Sequence, residues 1–393
     1  MPENNTPLTA CTVFLFAIAS GLAVANVYFA QPLLHLIALD FKIKEHSIGQ
    51  IVTLTQIGYG LGLFFIVPLG DILNRRKLIL SQFFISIVML LIISFTSHQF
   101  VFMGALLVLG LSATVAQTIV AYAASLATPS QNGRVVGLVT SGIVIGILLA
   151  RTAAGFLADV SGWRSVYTVS ASATTLITVF LCYQLPKQDY PKSDTSYRKL
   201  LHSLFTLFKD EPIMLKRSVI ALFLFASFST LWTSLVLPLS TTPFSFSATE
   251  IGLFGLLGVI GSLSAARAGK LADRGRAQQT TGIALAVLIL SWLIMSYLYN
   301  NILLLITGII LLDYAVQAVH VTNQSILYKA LPQAVSRTIA AYMIFYSIGS
   351  GIGALLSTQV YNKSGWSGVC LLGAGFSSIA LIFWLLTLKK QNK

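Results

Sequence analysis

Apolar runs of twenty residues or more recur along this chain, separated by short polar breaks. A helix of that length crosses the ~30 Å hydrocarbon core of a bilayer. It also pairs its own backbone N–H and C=O groups, which lipid cannot do. Twelve such spans are expected, near residues 10–39, 47–71, 78–96, 100–127, 133–160, 164–185, 217–241, 249–272, 278–299, 301–329, 336–361 and 366–388. With 56% of its residues hydrophobic and 9% charged, the sequence is that of an all-α polytopic membrane protein and leaves no room for a soluble domain.

The net charge of +13 raises the question of a polyanionic partner. With both termini on the cytoplasmic side, nineteen Lys and Arg fall in cytoplasmic segments and four (Lys42, Lys44, Arg164, Lys363) in outer ones; Arg151 and Arg267 lie within spans. That bias is the positive-inside rule, so the charge reports orientation and no nucleic-acid partner is expected. Cys11, Cys182 and Cys370 sit far apart in apolar spans, with no disulfide framework and no metal-ligand spacing. No cofactor is called for. Met1–Leu8 carries no Lys or Arg and no cleavage site follows, so the first span is expected to be retained. A multi-pass protein of a prokaryotic inner membrane, working as a monomer, is the expectation.

The sequence also repeats itself. At an offset of 203 residues Ile48-Gly49 maps to Ile251-Gly252, Gly58 to Gly261, Pro129 to Pro332, Arg134 to Arg337, Gly146 to Gly349 and Gly162-Trp163 to Gly365-Trp366. Asp71 and Asp273 match at 202. Two six-span halves are expected, 1–185 and 217–393, entering the membrane from the same side, an arrangement that puts a transporter's substrate site between them. The linker 186–216 contains Tyr197–Lys209, whose Leu200, Leu201, Leu204, Phe205 and Phe208 fall on one helical face, predicting an amphipathic helix along the cytoplasmic surface. Ser47-Ile-Gly-Gln50 and Ser247-Ala-Thr-Glu250 fit capping boxes that would start the second and eighth spans.

In the tenth span, Asp313, Gln317, His320 and Gln324 follow i, i+4, i+7, i+11. At ~100° per residue they share a sector roughly 60° wide. A carboxylate within a span must face protein or water, so this stripe lines a transport cavity or ties the helix to its neighbours. Asn323 belongs to the same stretch. Tyr28 and Gln31 of the first span, Gln117 of the fourth and Trp232 of the seventh are further cavity candidates, with Pro32 and Pro238 bending their helices. The fifth span carries small residues at Gly142, Gly146, Ala150 and, beyond Arg151, at Gly155, a stripe where another helix can approach closely. Counted from the outer ends of their helices, Arg151 lies ~15 Å deep and Asp313 ~18 Å. The two could form a charge pair, switching or static, or Arg151 could anchor an anionic substrate.

Pro68-Leu-Gly-Asp71-Ile-Leu-Asn-Arg75-Arg76-Lys77, echoed by Gly269-Lys-Leu-Ala-Asp273-Arg274-Gly-Arg276, resembles the signature loop of the major facilitator superfamily. The second copy is the cleaner one, since Val67, Ile72 and Asn74 depart from the pattern in the first. The resemblance covers essentially the whole chain and implies two pseudo-symmetric six-helix bundles. It also implies gating roles for Asp71, Arg75, Arg76, Arg134, Asp273, Arg274, Arg276 and Arg337, with Asp71 held by a helix N-terminus or by an arginine such as Arg134. The fifth span is similar to the antiporter signature of the family, except that Ala150-Arg151 stand where glycine-proline is expected. In the fourth span Leu106 stands four residues before Gly110, where drug-exporting members carry a coupling arginine. The tenth span resembles a subgroup of bacterial facilitators with few assigned substrates.

The family resemblance implies a secondary transporter, not an enzyme. Proton-coupled export of amphiphilic or drug-like molecules leads; transport of a polar, even anionic, metabolite such as a sugar, organic acid or siderophore-like compound is the alternative. Asp313, with His320 and Arg151, is the expected proton-coupling group.

Overall fold

The computed structural model describes residues 9–128, 131–185, 196–299, 301–331 and 335–388, and among them every regular element is helical. Among the described residues, ten helices are long and apolar enough to cross a membrane. The chain enters as α1 (Ala10–Tyr28) and α2 (Ala30–Phe41), one crossing interrupted at Phe29. Pro32 has no N–H to give the Tyr28 carbonyl, which places the break there. There follow α3 (Gly49–Phe65), α4 (Arg75–Phe95), α5 (Gln99–Ala113), α6 (Val115–Leu126), α7 (Asn132–Ser161) and α8 (Trp163–Gln184). After the linker helix α9 (Tyr197–Asp210) come α10 (Pro212–Ser234) and α11 (Val236–Leu239), separated at Leu235, just past Ser234, whose carbonyl Pro238 has no N–H to meet. The chain ends as α12 (Ala248–Leu253), α13 (Gly258–Asp273), α14 (Ala277–Met295), α15 (Ile302–Ala330) and α16 (Val335–Leu388).

Beyond the breaks at Phe29, Thr114 and Leu235, two places depart from one helix per span. A 3₁₀ stretch, Phe254–Leu257, divides the eighth expected span into α12 and α13. At the other end, α16 is continuous over 54 residues except at Gly365, with φ 59° and ψ −157°. Fifty-four residues would reach about 80 Å, far more than one bilayer crossing. Gly365 therefore marks the turn between two crossings. Gly162 does the same between α7 and α8, with φ 79°. Both positions need the left-handed backbone that glycine tolerates, and both precede a buried tryptophan, Trp163 or Trp366. The repeated Gly-Trp pair is thus a turn used twice.

Only one of the two capping boxes forms. Ser247 Oγ accepts from the Glu250 N–H at 3.3 Å, and Glu250 Oε2 accepts from the Ser247 N–H at 2.8 Å. At Ser47 the 3₁₀ turn Glu45–Ser47 runs directly into α3, whose start has no side-chain cap. The turn carries the backbone into the helix already wound, and no flanking serine is needed.

The small-residue stripe of α7 meets two different partners. A Cβ on Gly142 or Gly146 would collide with the backbone of Ala17 or Gly21 in α1, whereas one on Gly155 would collide with Ala248 and Thr249 in α12. The first two pack the helix against its neighbour early in the chain, and the third against a helix beyond the linker. Gly146→Leu is expected to destabilise the fold by about 1–3 kcal/mol, because the obstructing atoms are backbone and cannot rotate away. Thermal unfolding in detergent reads this as a drop of several degrees.

On the face poor in Lys and Arg, which the charge bias makes the outer one, helices before and after the linker are in close contact. Thr358 Oγ1 donates to the His46 carbonyl at 3.2 Å, and Thr53 Oγ1 to that of Gly351 at 3.0 Å. Across α7 and α12, Thr152 Oγ1 donates to the Gly252 carbonyl at 3.0 Å. The Asp159 carboxylate accepts from the N–H groups of Ala248 and Thr249 at 3.2 and 2.7 Å, capping α12. That face is closed.

The opposite face holds a small pocket lined by residues including Pro68, Asp71, Arg75, Leu204 and Arg337. Helix α9 lies across it. Leu204 is buried, Phe205 packs on Phe64 at 5.5 Å, Phe208 on Phe345 at 5.2 Å, and the Tyr197 hydroxyl donates to the Phe65 carbonyl at 2.7 Å. The amphipathic helix expected in the linker thus spends its apolar face on α3 and α16.

Candidate functional site

Arg151, Trp232 and Asp313 meet inside the protein, at 3%, 3% and 5% exposure. They come from α7, α10 and α15. Arg151 Nε donates to Gln31 Oε1 at 2.7 Å, and the guanidinium lies 3.9 Å from the centroid of the Trp232 ring. Tyr28 and Phe228 present rings at 5.2 and 5.8 Å. An arginine held face-on by aromatics and fixed at one nitrogen keeps its remaining donors aimed in a set direction. Nη2 is buried with no acceptor among the described residues.

Asp313 and Arg151 act electrostatically on one another but form no ion pair among the described residues. Asp313 Oδ1 has no donor among the described residues. The Trp232 indole is a neighbour of both: its ring covers the guanidinium, and its N–H faces Asp313 without closing a hydrogen bond. Glycines of the eighth span make room for both charges. A Cβ on Gly255 would stand 3.0 Å from Arg151 Cβ, one on Gly258 3.0 Å from Asp313 Oδ2, and one on Gly261 2.6 Å from Asp313 Cβ.

Toward the other end of the stripe, His320 Nδ1 lies 3.1 Å from the Tyr342 hydroxyl and Nε2 3.3 Å from Gln324 Nε2. Phe225 packs edge-on against the imidazole at 5.1 Å and on Tyr346 at 3.9 Å. The Tyr346 hydroxyl hydrogen-bonds that of Tyr28, joining α16 to α1 beside Arg151. The stripe therefore faces protein along its length. Gln317 is half-buried in it. Asn323, fully buried, turns away from the others and accepts from Arg217 Nη1 at 3.3 Å.

Gln117 stays among the earlier helices, donating to the Tyr59 hydroxyl at 3.4 Å. Of the gating candidates, Asp71 pairs with Arg75 at 3.2 Å, one turn on, rather than with Arg134, which is exposed. Arg75 also donates to the carbonyls of Gly70 at 2.8 Å and Ala121 at 3.2 Å, clamping the loop onto α6. Arg76 donates to the Cys182 carbonyl at 2.6 Å. Arg337 faces Asp71 and Arg75 across the inner pocket. Arg274 and Arg276 are exposed, and the side chain of Asp273 lies outside the described residues, as do Pro129 and Pro332.

Sequence reasoning missed Tyr342, Tyr346, Phe225 and Phe228, which look like ordinary packing residues until the fold gathers them. It also counted Arg217 with the cytoplasmic segments, whereas that side chain is 3% exposed. A basic residue so close to an apolar run was the available signal.

The Major Facilitator Superfamily model matches residues 13–311 and 268–393. An uncharacterized transporter of Escherichia coli O157:H7, YgaY, is 43% identical over 387 residues, covering 98% of this chain and 97% of its own. The fold is similar to that of a bacterial homologue of the human lysosomal transporter Spinster, captured inward-facing and occupied (TM-score 0.79, 13% identity, 97% of each chain). It is also similar to that of the nucleoside transporter NupG (TM-score 0.70, 14% identity, 95% of this chain and 99% of that one). Helical architecture, internal charges and relatives agree: this chain is a transporter of the major facilitator superfamily.

Proposed function

We propose that the protein is a proton-driven exporter of amphiphilic small molecules in a bacterial inner membrane, with Asp313 as the group that exchanges the proton. The observation that carries this reading is a buried carboxylate with an unfilled acceptor, Oδ1, held among aromatic rings and residues from both sides of the linker. An ionisable group inside a membrane protein is expensive to keep, and coupling is the function that repays it. Arg151 of α7 supplies an environment whose distance from Asp313 can change as the halves rock. His320, with Tyr342 and Gln324 on its two ring nitrogens, is the group placed to assist proton movement along the stripe.

A second reading is favoured by Arg151 Nη2, which has no acceptor and could hold the anionic group of a polar metabolite. Everted vesicles with an imposed pH gradient and a panel of dyes, sugars and organic acids separate the two. Dye accumulation that collapses with the gradient is the expected result; gradient-dependent movement of organic acids alone overturns the exporter reading.

A further inference from the structure

We propose that the site between Arg151 and Asp313 takes a zwitterion with an apolar body, its carboxylate on Arg151 and its ammonium on Asp313. This rests on the exporter reading and names its substrate class. Two opposite charges are buried close enough to act on one another, yet each keeps an unfilled position, Nη2 on one and Oδ1 on the other. A buried charge without a full set of partners is costly if nothing else fills the place. A single molecule bearing both complementary groups fills both.

The two side chains reach the site side by side. Arg151 Cβ rests against Gly255 and Asp313 Oδ2 against Gly258 of the same span, three residues on. The rest of the wall is aromatic: Trp232, Tyr28 and Phe228 surround the guanidinium, and Phe225 and Tyr346 pack together on the side of His320. An apolar body belongs there.

The sign of coupling points the same way. A proton and an ammonium compete for one carboxylate, so protonation releases the substrate and the two travel in opposite directions. An anion held by Arg151 alone would instead bind better once Asp313 is neutral, and proton and substrate would travel together. The charged group acting on Asp313 from a packed neighbour is Arg151, and the phenols of Tyr28 and Tyr346 act on Arg151. Only a substrate with both charges uses the whole site and keeps the exchange.

The test uses the purified full chain in nanodiscs with three probes: L-phenylalanine, its N-acetyl derivative (an anion) and its methyl ester (a cation). Binding is read from thermal stabilisation. L-Phenylalanine is expected to bind about 30- to 100-fold more tightly than either derivative, and more weakly as pH falls through the titration of Asp313. Arg151→Gln should bring the amino acid and its methyl ester to equal affinity. Asp313→Asn should do so for the amino acid and its N-acetyl derivative. These are changes in selectivity within one variant, which a merely misfolded protein does not show. Derivatives that bind the wild type as well as L-phenylalanine overturn the proposal. So does a protein that exports dyes in a pH gradient and binds no zwitterion, an outcome that leaves the exporter reading standing. Zwitterion binding that follows both variants, with no gradient-driven transport, supports this proposal and overturns the exporter reading.

Discussion

Asp313→Asn is expected to abolish coupling while leaving the fold intact. One pH unit is worth 1.36 kcal/mol per proton, a factor of ten in concentration. With the membrane potential clamped at zero and one proton exchanged per substrate, two pH units therefore sustain about 100-fold accumulation in proteoliposomes. The asparagine variant should reach about 1-fold, because its amide carries no exchangeable proton at this site and substrate merely equilibrates. The shape of the side chain matters here as much as its charge. Gly258 and Gly261 are cut to admit a four-atom group: a Cβ at 258 would already stand 3.0 Å from Oδ2, and one at 261 would stand 2.6 Å from the Asp313 Cβ. Asparagine fits that space; a longer glutamate would be pressed into α13. Unfolding temperature is the control, expected to stay within a few degrees of wild type. Undiminished accumulation by the variant would move the proton site elsewhere on the stripe, with His320 the next group to replace.

The helices were legible because membrane spans announce themselves: a run of twenty apolar residues admits one solution in lipid. The breaks at Phe29 and Leu235 followed from Pro32 and Pro238, and the turns at Gly162 and Gly365 from a repeated Gly-Trp pair. The Phe254–Leu257 break in the eighth span carries no proline; the local signal is glycine at 252, 255 and 258, which weakens a helix without fixing where it breaks. The polar stripe of α15 could be read because helical periodicity places Asp313, Gln317, His320 and Gln324 on one face. What touches that face could not, since contacts between distant segments depend on helix rotation and tilt. Arg151 illustrates the limit. Its depth could be counted from the end of its helix, but whether it would pair with Asp313 depended on where Trp232 and Gln31 arrive from two other helices. The structure puts the indole over the guanidinium and Gln31 on its Nε, and no ion pair forms in this state. Asp71 shows the opposite case: the family's motif implied a helix N-terminus or an arginine such as Arg134, and the carboxylate takes Arg75, four residues away at the start of α4.

Gly49→Leu and Gly155→Leu together are expected to trap the protein open to the outside and stop transport. In the closed outer face, a Cβ at 49 would press on the Ala354 backbone and stand 2.7 Å from Thr358 Oγ1; one at 155 would press on the Ala248 backbone. The obstructing atoms belong to helices across the interface, so the larger side chains can be relieved only by moving those helices apart. Overpacking of this kind costs about 1–3 kcal/mol per site. The cost falls on the closed state alone, because a side chain facing an open cleft meets nothing. Each substitution thus shifts the balance toward outer opening by roughly 5- to 150-fold. The two sites lie on different helix pairs, α3 with α16 and α7 with α12, which favours additive effects. A reporter is available at Thr152, whose hydroxyl donates to the Gly252 carbonyl within the closed face. Thr152→Cys, in a background without Cys11, Cys182 and Cys370, should react with a membrane-impermeant maleimide from outside at least about tenfold faster when the two leucines are present. Unchanged labelling together with normal transport would mean that these glycines pack a static contact, and that the moving surfaces lie elsewhere.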